Sequence, residues 1–233
     1  MNINGHDLIA PINAAPAQRW YGVYPATVTD VQDPSGQGGV KVALPWTPDP
    51  SGGRYETWAR LATTMAGNQR GTWLVPDKGD EVLVAFGGGN PDQPYVVGAL
   101  WNGKDAAPQA MTSGNDVRAM VSRENIRITM VDITGSAKLT LTTPGGRSIT
   151  LDDGSNTLSL DDGNGNTVEM TPTGVTVTSN TSVTVNAQRV AISAGAVKVD
   201  AGSSVFSGTV QCDTLISKTV VSNAYTPGMG NVW

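Results

Sequence analysis

LTLTTPGGRSITLDDGSNTLSLDDGNGNTVEMTPTGVTVTSNTSVTVNAQRVAISAGAVKVD, running from Leu139 to Asp200, carries apolar residues in i, i+2 pairs that recur with little variation. The pairs are Leu139/Leu141, Ile149/Leu151, Leu158/Leu160, Val168/Met170, Val175/Val177, Val183/Val185, Val190/Ile192 and Val197/Val199, and their first members stand 10, 9, 10, 7, 8, 7 and 7 residues apart. Period-two placement predicts strands with one buried face. The near-constant repeat predicts a solenoid or fibre in which each repeat is one supersecondary unit. A repeat this short holds one strand and one bend, and five strand residues span roughly 16 Å. One chain therefore supplies one face of a slim prism, and the seven-to-eight-residue steps after Val168 leave little room for hairpin turns. Three chains winding together would close a tube with Val, Ile, Leu and Met inside and Thr, Ser, Asn and Asp outside, removing the lateral strand edges. Roughly ten layers about 4.7 Å apart would give a rod on the order of 50 Å long.

Upstream the grammar changes. Five of the six tryptophans (Trp20, Trp46, Trp58, Trp73, Trp101) precede residue 110, and Lys104–Ala110 reads as a linker. Six stretches flanked by Gly, Pro, Asp or Asn are expected as strands of a compact all-β barrel: Gly22–Asp30, Val40–Trp46, Trp58–Ala62, Gly71–Val75, Glu81–Phe86 and Tyr95–Leu100. Residues 1–20 lack such patterning and are expected as an extended arm, with Pro11 and Pro16 discouraging helix. The 28 glycines and 14 prolines fit many short strands and turns.

A net charge of −5 lacks the cationic footprint needed to hold nucleic acid through its phosphates. Trp46, Trp58, Trp73 and Trp101 follow strand patterns with no basic stripe beside them, so stacking on single strands is not the expected use. His6 and Cys212 are the sole histidine and cysteine and lie far apart in sequence, which argues against a Cys-His or Ser-His hydrolase and leaves no disulfide within the chain. Cys212 is expected as a small buried apolar residue. The repeated Leu-Asp-Asp-Gly at 151–154 and 160–163 invites a calcium reading. Counted from Asp162, however, Thr167 stands where the EF-hand loop needs Gly and Thr173 where it needs Glu. These residues are expected as turns. No catalytic, cofactor-binding or metal-ligating residue is assigned.

Several runs match a known family in its own order. They are Gly22-Val23-Tyr24-Pro25-Ala26 with Val28 and Val31; Asp33-Pro34; Gly39-Val40-Lys41-Val42 to Pro45-Trp46; Trp58-Ala59-Arg60-Leu61-Ala62; Pro76-Asp77-Lys78-Gly79-Asp80-Glu81 to Phe86; and Asn90-Pro91-Asp92-Gln93-Pro94-Tyr95 to Gly103. The chain resembles the baseplate spike proteins of contractile-tailed phages, the baseplate assembly protein V family, which are related to the valine-glycine-repeat spikes of type VI secretion. The resemblance implies an OB-fold domain docked on a separate hub protein, then a trimeric β-helix aimed at the target cell envelope. Some relatives insert a lysozyme-like domain, for which the linker here is too short. Others hold a metal at the tip through a His-x-His pair, which this chain lacks.

The expected organisation is therefore all-β: an arm at 1–20, an OB-fold at 21–104, a neck at 105–131, an intertwined trimeric β-helix at 132–222 and a tip segment at 223–233. In the tip, Tyr225, Met229, Val232 and Trp233 are candidates to plug the axis or to receive a small tip protein of the PAAR-repeat kind. The expected function is a homotrimeric, non-enzymatic spike of a contractile injection machine, made in a bacterial host's cytoplasm and carried in the virion tail baseplate or an extracellular injection particle. The alternative is a receptor- or polysaccharide-binding tail fibre.

Overall fold

The computed structural model describes residues 19–48 and 53–224. It separates into two compact units, Met1–Ser182 and Val183–Trp233.

In the first unit, strands β1 (Val23–Asp30), β2 (Val40–Pro48) and β3 (Arg54–Leu61) form an antiparallel meander. A short hairpin of β4 (Ala66–Gly67) and β5 (Arg70–Gly71) follows, and then β6 (Glu81–Phe86) and β7 (Pro94–Leu100). The order β1-β2-β3-β7-β6 is a closed barrel: β6 pairs back onto β1, and β7 meets β3 in parallel at Arg60↔Tyr95 and Leu61↔Val96. Alternation builds the core. Along β6, Val82, Val84 and Phe86 point inward and meet Val28, Val40, Val42, Leu44 and Val96, all buried. Burying each such side chain contributes roughly 1.5–3 kcal/mol. At one end Trp20 packs edge-on against Trp46, Tyr55 and Phe86, with ring centroids 4.9–5.5 Å apart, while its backbone N–H donates to Gly89 O at 2.8 Å.

One expected barrel strand is absent. Gly71–Val75 contributes only Gly71, to the two-residue β5, and then leaves regular structure with Trp73 and Leu74 exposed. The barrel is already closed by five strands, so this segment has no free edge on which to pair.

Downstream, seven strands form an antiparallel sheet in sequence order: β8 (Val117–Val121), β9 (Arg127–Val131), β10 (Lys138–Thr142), β11 (Ser148–Asp152), β12 (Thr157–Asp161), β13 (Thr167–Thr171) and β14 (Gly174–Thr178). Two features differ from the sequence expectation. Strands β8 and β9 occupy the stretch expected as neck. The seven-residue step from Val168 to Val175 does accommodate a hairpin, because Pro172 and Thr173 alone connect β13 to β14. The repeats through Thr178 thus pair within one chain. Residues 183–224 contain no strand pairing.

Candidate assembly interface

Register decides which side chains share a face. Met120, Ile128, Leu141, Ile149, Leu160, Val168 and Val177 stand opposite one another strand by strand, forming one apolar column across the sheet. Met130, Leu139, Leu151, Leu158, Met170 and Val175 form a second, which Arg118 heads on β8. Successive strand residues point to opposite faces, so both columns lie on one side. The other side from β10 onward is Thr, Ser, Asp, Glu and Lys, as in Lys138, Thr140, Thr150, Ser159 and Glu169.

The apolar side is uncovered within the chain. Met120 is 49% exposed, Met130 40%, Leu151 41% and Val175 64%. A sheet normally packs such a face against another layer, and a continuous apolar patch of this kind marks an interaction surface. In the second unit the same alternation is more open, with Val183, Val185, Val190, Ile192, Val197 and Val199 all between 62% and 72% exposed. These residues have neither a covering layer nor paired neighbours in the chain. Cys212 is exposed in the single chain as well.

Three of the four Leu-Asp-Asp-Gly carboxylates, those of Asp152, Asp161 and Asp162, accept turn donors. Asp162 accepts backbone N–H groups from Asn164 at 2.7 Å and Asn166 at 3.0 Å, and the Asn166 amide at 2.6 Å. The Asn166 side chain first, then the Asn164 backbone amide, hold its pKa down to about 2. Asp161 caps Gly163 N–H at 2.7 Å. Asp152 accepts from Gly154 N–H at 2.9 Å and pairs with Lys138 Nζ at 2.6 Å, and that Lys138 contact is the main reason its pKa is lowered. Asn180 extends the series, donating its amide to Asn164 O at 2.7 Å. Among the described residues, no group of three or more His, Cys, Asp or Glu is placed to hold a metal.

The tip candidates Tyr225, Met229, Val232 and Trp233 lie outside the described residues, as do His6 and all but the last two residues of the expected arm. Two features at the barrel side of the sheet escaped the sequence reading. Arg118 and Asp132 form an ion pair at the head of the apolar columns. Trp73 and Trp101 lie off the strands and are largely exposed, contrary to the strand placement expected of them. A signal existed for the first of these: Trp73-Leu74 puts two large apolar residues side by side, which alternation cannot bury together.

Comparison with known proteins accounts for both parts of the chain. Residues 24–101 match the model of the type VI secretion system/phage-baseplate injector OB domain, and residues 138–198 match the phage baseplate V C-terminal trimerisation domain. The chain is 39% identical over 75 residues to the type VI secretion system spike protein VgrG3 of Vibrio cholerae, covering 32% of this chain and 7% of that protein. It is 32% identical over 89 residues to the spike protein VgrG1a of Pseudomonas aeruginosa, covering 38% of this chain and 14% of that protein. The actin cross-linking toxin VgrG1 of Vibrio cholerae is 33% identical over 75 residues, again 7% of its length. The chain thus matches only a small fraction of each of these relatives. The closed barrel coincides with the injector OB domain, and the sheet with its open apolar face runs into the trimerisation domain. The two matches together span more than half of the sequence, and the chain belongs to the phage baseplate V family of injector spike proteins.

Proposed function

We propose that this chain is the central spike of a contractile injection machine, a homotrimer that plugs the tail tube and mechanically pierces the target cell envelope. The observation that carries the reading is the pair of apolar columns left open across seven strands, continued by alternating apolar residues that have no partner in the chain. A surface of that extent is stable in water only when other copies cover it. A stiff tube of strands needs no catalytic group to transmit force. In this reading the OB-fold end docks on a baseplate hub protein, the particle carries the spike in its tail, and the protein is not an enzyme.

The far end belongs to the same proposal. Residues 223–233, with Tyr225, Met229, Val232 and Trp233, would close the last layer of the tube or present it to a PAAR-like tip protein. Deleting them should leave the trimer intact and abolish tip-protein capture; unchanged capture would remove the tip from the proposal. The function itself is tested with particles lacking this gene product. They should fail to puncture target cells and regain that ability with the intact chain, but not with a chain carrying Asp in the apolar columns. Specific binding or cleavage of surface polysaccharide by the purified trimer would instead favour the tail-fibre reading.

A further inference from the structure

Two Asn-Gly steps fall among the described residues, Asn102-Gly103 just after β7 and Asn164-Gly165 in the corner between β12 and β13. Such a step is chemically labile. With no Cβ on the residue that follows, the glycine nitrogen can approach the asparagine side-chain carbonyl carbon and close a five-membered ring. In both steps the glycine N–H donates no hydrogen bond among the described residues. The asparagine side chain is what differs.

At Asn102 the side-chain amide is held at both ends. Its Oδ1 accepts Lys104 N–H at 2.8 Å and Asp105 N–H at 2.7 Å, and its Nδ2 donates to Glu81 Oε2 at 2.8 Å and Asp105 Oδ2 at 3.3 Å. Turning toward Gly103 would disturb all of these. At Asn164 the side chain makes a single hydrogen bond, from Nδ2 to Asp162 O at 3.2 Å, and both Asn164 and Gly165 are exposed. The peptide group that must react there is also polarised. Asn180 Nδ2 donates to Asn164 O at 2.7 Å. When the Gly165 nitrogen gives up its proton, negative charge spreads onto that oxygen, where a fixed donor stabilises it.

We infer that Asn164 is a site of spontaneous covalent modification, at which the Gly165 nitrogen attacks Cγ. The N–Cγ bond forms as the Cγ–Nδ2 bond breaks, and Nδ2 leaves as ammonia with the proton from Gly165. Water then opens the ring at one of its two carbonyls, giving aspartate or isoaspartate. In isoaspartate the backbone gains one carbon, and the carbonyl that held Asn180 leaves the main chain as a carboxylate. That carbonyl is half of a tie, since Asn180 is otherwise held to this corner by Asn166 Oδ1, which accepts its N–H at 3.0 Å. Asn180 stands between the end of β14 and the unpaired residues 183–224. The reaction therefore loosens the chain where its own strand pairing stops, and this junction weakens with the age of the molecule.

Full-length protein held in mildly alkaline buffer and sampled over days tests this, with peptide fragmentation locating each amide turned carboxyl and an isoaspartyl methyltransferase counting isoaspartate. Asn164 should convert at least tenfold faster than Asn102 in the folded protein, and the two should converge in the guanidine-unfolded chain. Comparable rates in the folded protein overturn the inference. A tenfold difference that persists on unfolding overturns it too, because neighbouring sequence and not the fold would then set the rates. Asn164→Gln keeps a side-chain amide but would have to close a larger ring, and should remain unconverted. Trypsin should cut aged wild-type protein after Arg189 at least threefold faster than fresh protein, with no such change in Asn164→Gln. Equal cutting of aged and fresh wild-type protein overturns the loosening of the junction.

Discussion

Asp33 ties a whole loop to one carboxylate. Its Oδ1 accepts Ser35 N–H at 2.8 Å and Ser35 Oγ at 2.7 Å, while Oδ2 accepts Gln37 N–H at 3.0 Å and Gly39 N–H at 2.9 Å. The Ser35 hydroxyl first, and the Gly39 amide next, hold its pKa down to about 2. A carboxyl whose folded pKa lies below its unfolded value of about 3.9 contributes stability that is complete above that value and lost as pH falls through the folded one. Barrel stability should therefore drop between about pH 4 and about pH 2. Asp33→Asn should lower stability at neutral pH and make that acid slope shallower, as read by guanidine unfolding followed through tryptophan fluorescence; an equally steep slope in the variant would count against the assignment. Gly163 is a second point of constraint. It sits at φ +74°, and a Cβ there would stand 2.8 Å from Gly145 O. Gly163→Ala should lower the unfolding free energy by on the order of 1–3 kcal/mol, visible in a thermal melt. The sequence already pointed to turns at Leu-Asp-Asp-Gly, since Asp, Asn and Gly are the residues that close them. The stacking of one turn on the next, Gly163 against Gly145 and Asn180 against Asn164, depends on distances that spacing alone does not contain.

At the level of the strand, one face is apolar and the other polar, and the two should respond oppositely to charge. Leu160→Asp places a carboxylate in the apolar column, where burial without a partner is strongly unfavourable, and should abolish the trimer in sedimentation. Thr150→Asp, on the opposite face between Thr140 and Ser159, should leave it intact. Equal effects from the two would contradict the facial assignment. Alternation made the strands from Leu139 onward legible, because a single Thr, Ser or Glu separates each apolar pair from β10 to β14. It failed at β8 and β9, where Val117, Ala119 and Val121 on one face accompany Met120 on the other, so no single buried face stands out. Alternation also cannot say whether neighbouring strands belong to one chain or to three. Turn chemistry carries that information. Asn125, Gly135, Gly146 and Asn156 adopt left-handed backbone at hairpin corners, whereas Gly195, Gly202 and Gly208 do not.

For the molecule as a whole, the trimer sets the measurable properties. Light scattering should give a mass near three times the 24.2 kDa of one chain, and a single-chain mass would refute the architecture. Because folded and associated states are linked by mass action, the melting temperature should rise with protein concentration. The barrel was legible because its strands are punctuated by Gly, Pro, Asp and Asn, and because the residues from Gly22 to Gly103 follow a recognisable order. The placement of Trp73 and Trp101 off the strands was not legible, since it depends on the path the chain takes once five strands have closed the barrel.

In-chain strand pairing ends at β14, and in the trimeric reading this divides the folding reaction by kinetic order. Each strand of the seven-stranded sheet meets the next across a short turn, and such hairpins close in roughly 1–10 μs without help from a second molecule. Residues 183–224 find no pairing along their own chain, so in the trimeric reading they become ordered only after chains collide. Their protection from proteolysis should then appear at a rate that falls steeply on dilution, while protection of the barrel should be independent of dilution. Production of the spike in a cell would be governed by how many copies are present at once, a dependence that a self-sufficient domain escapes.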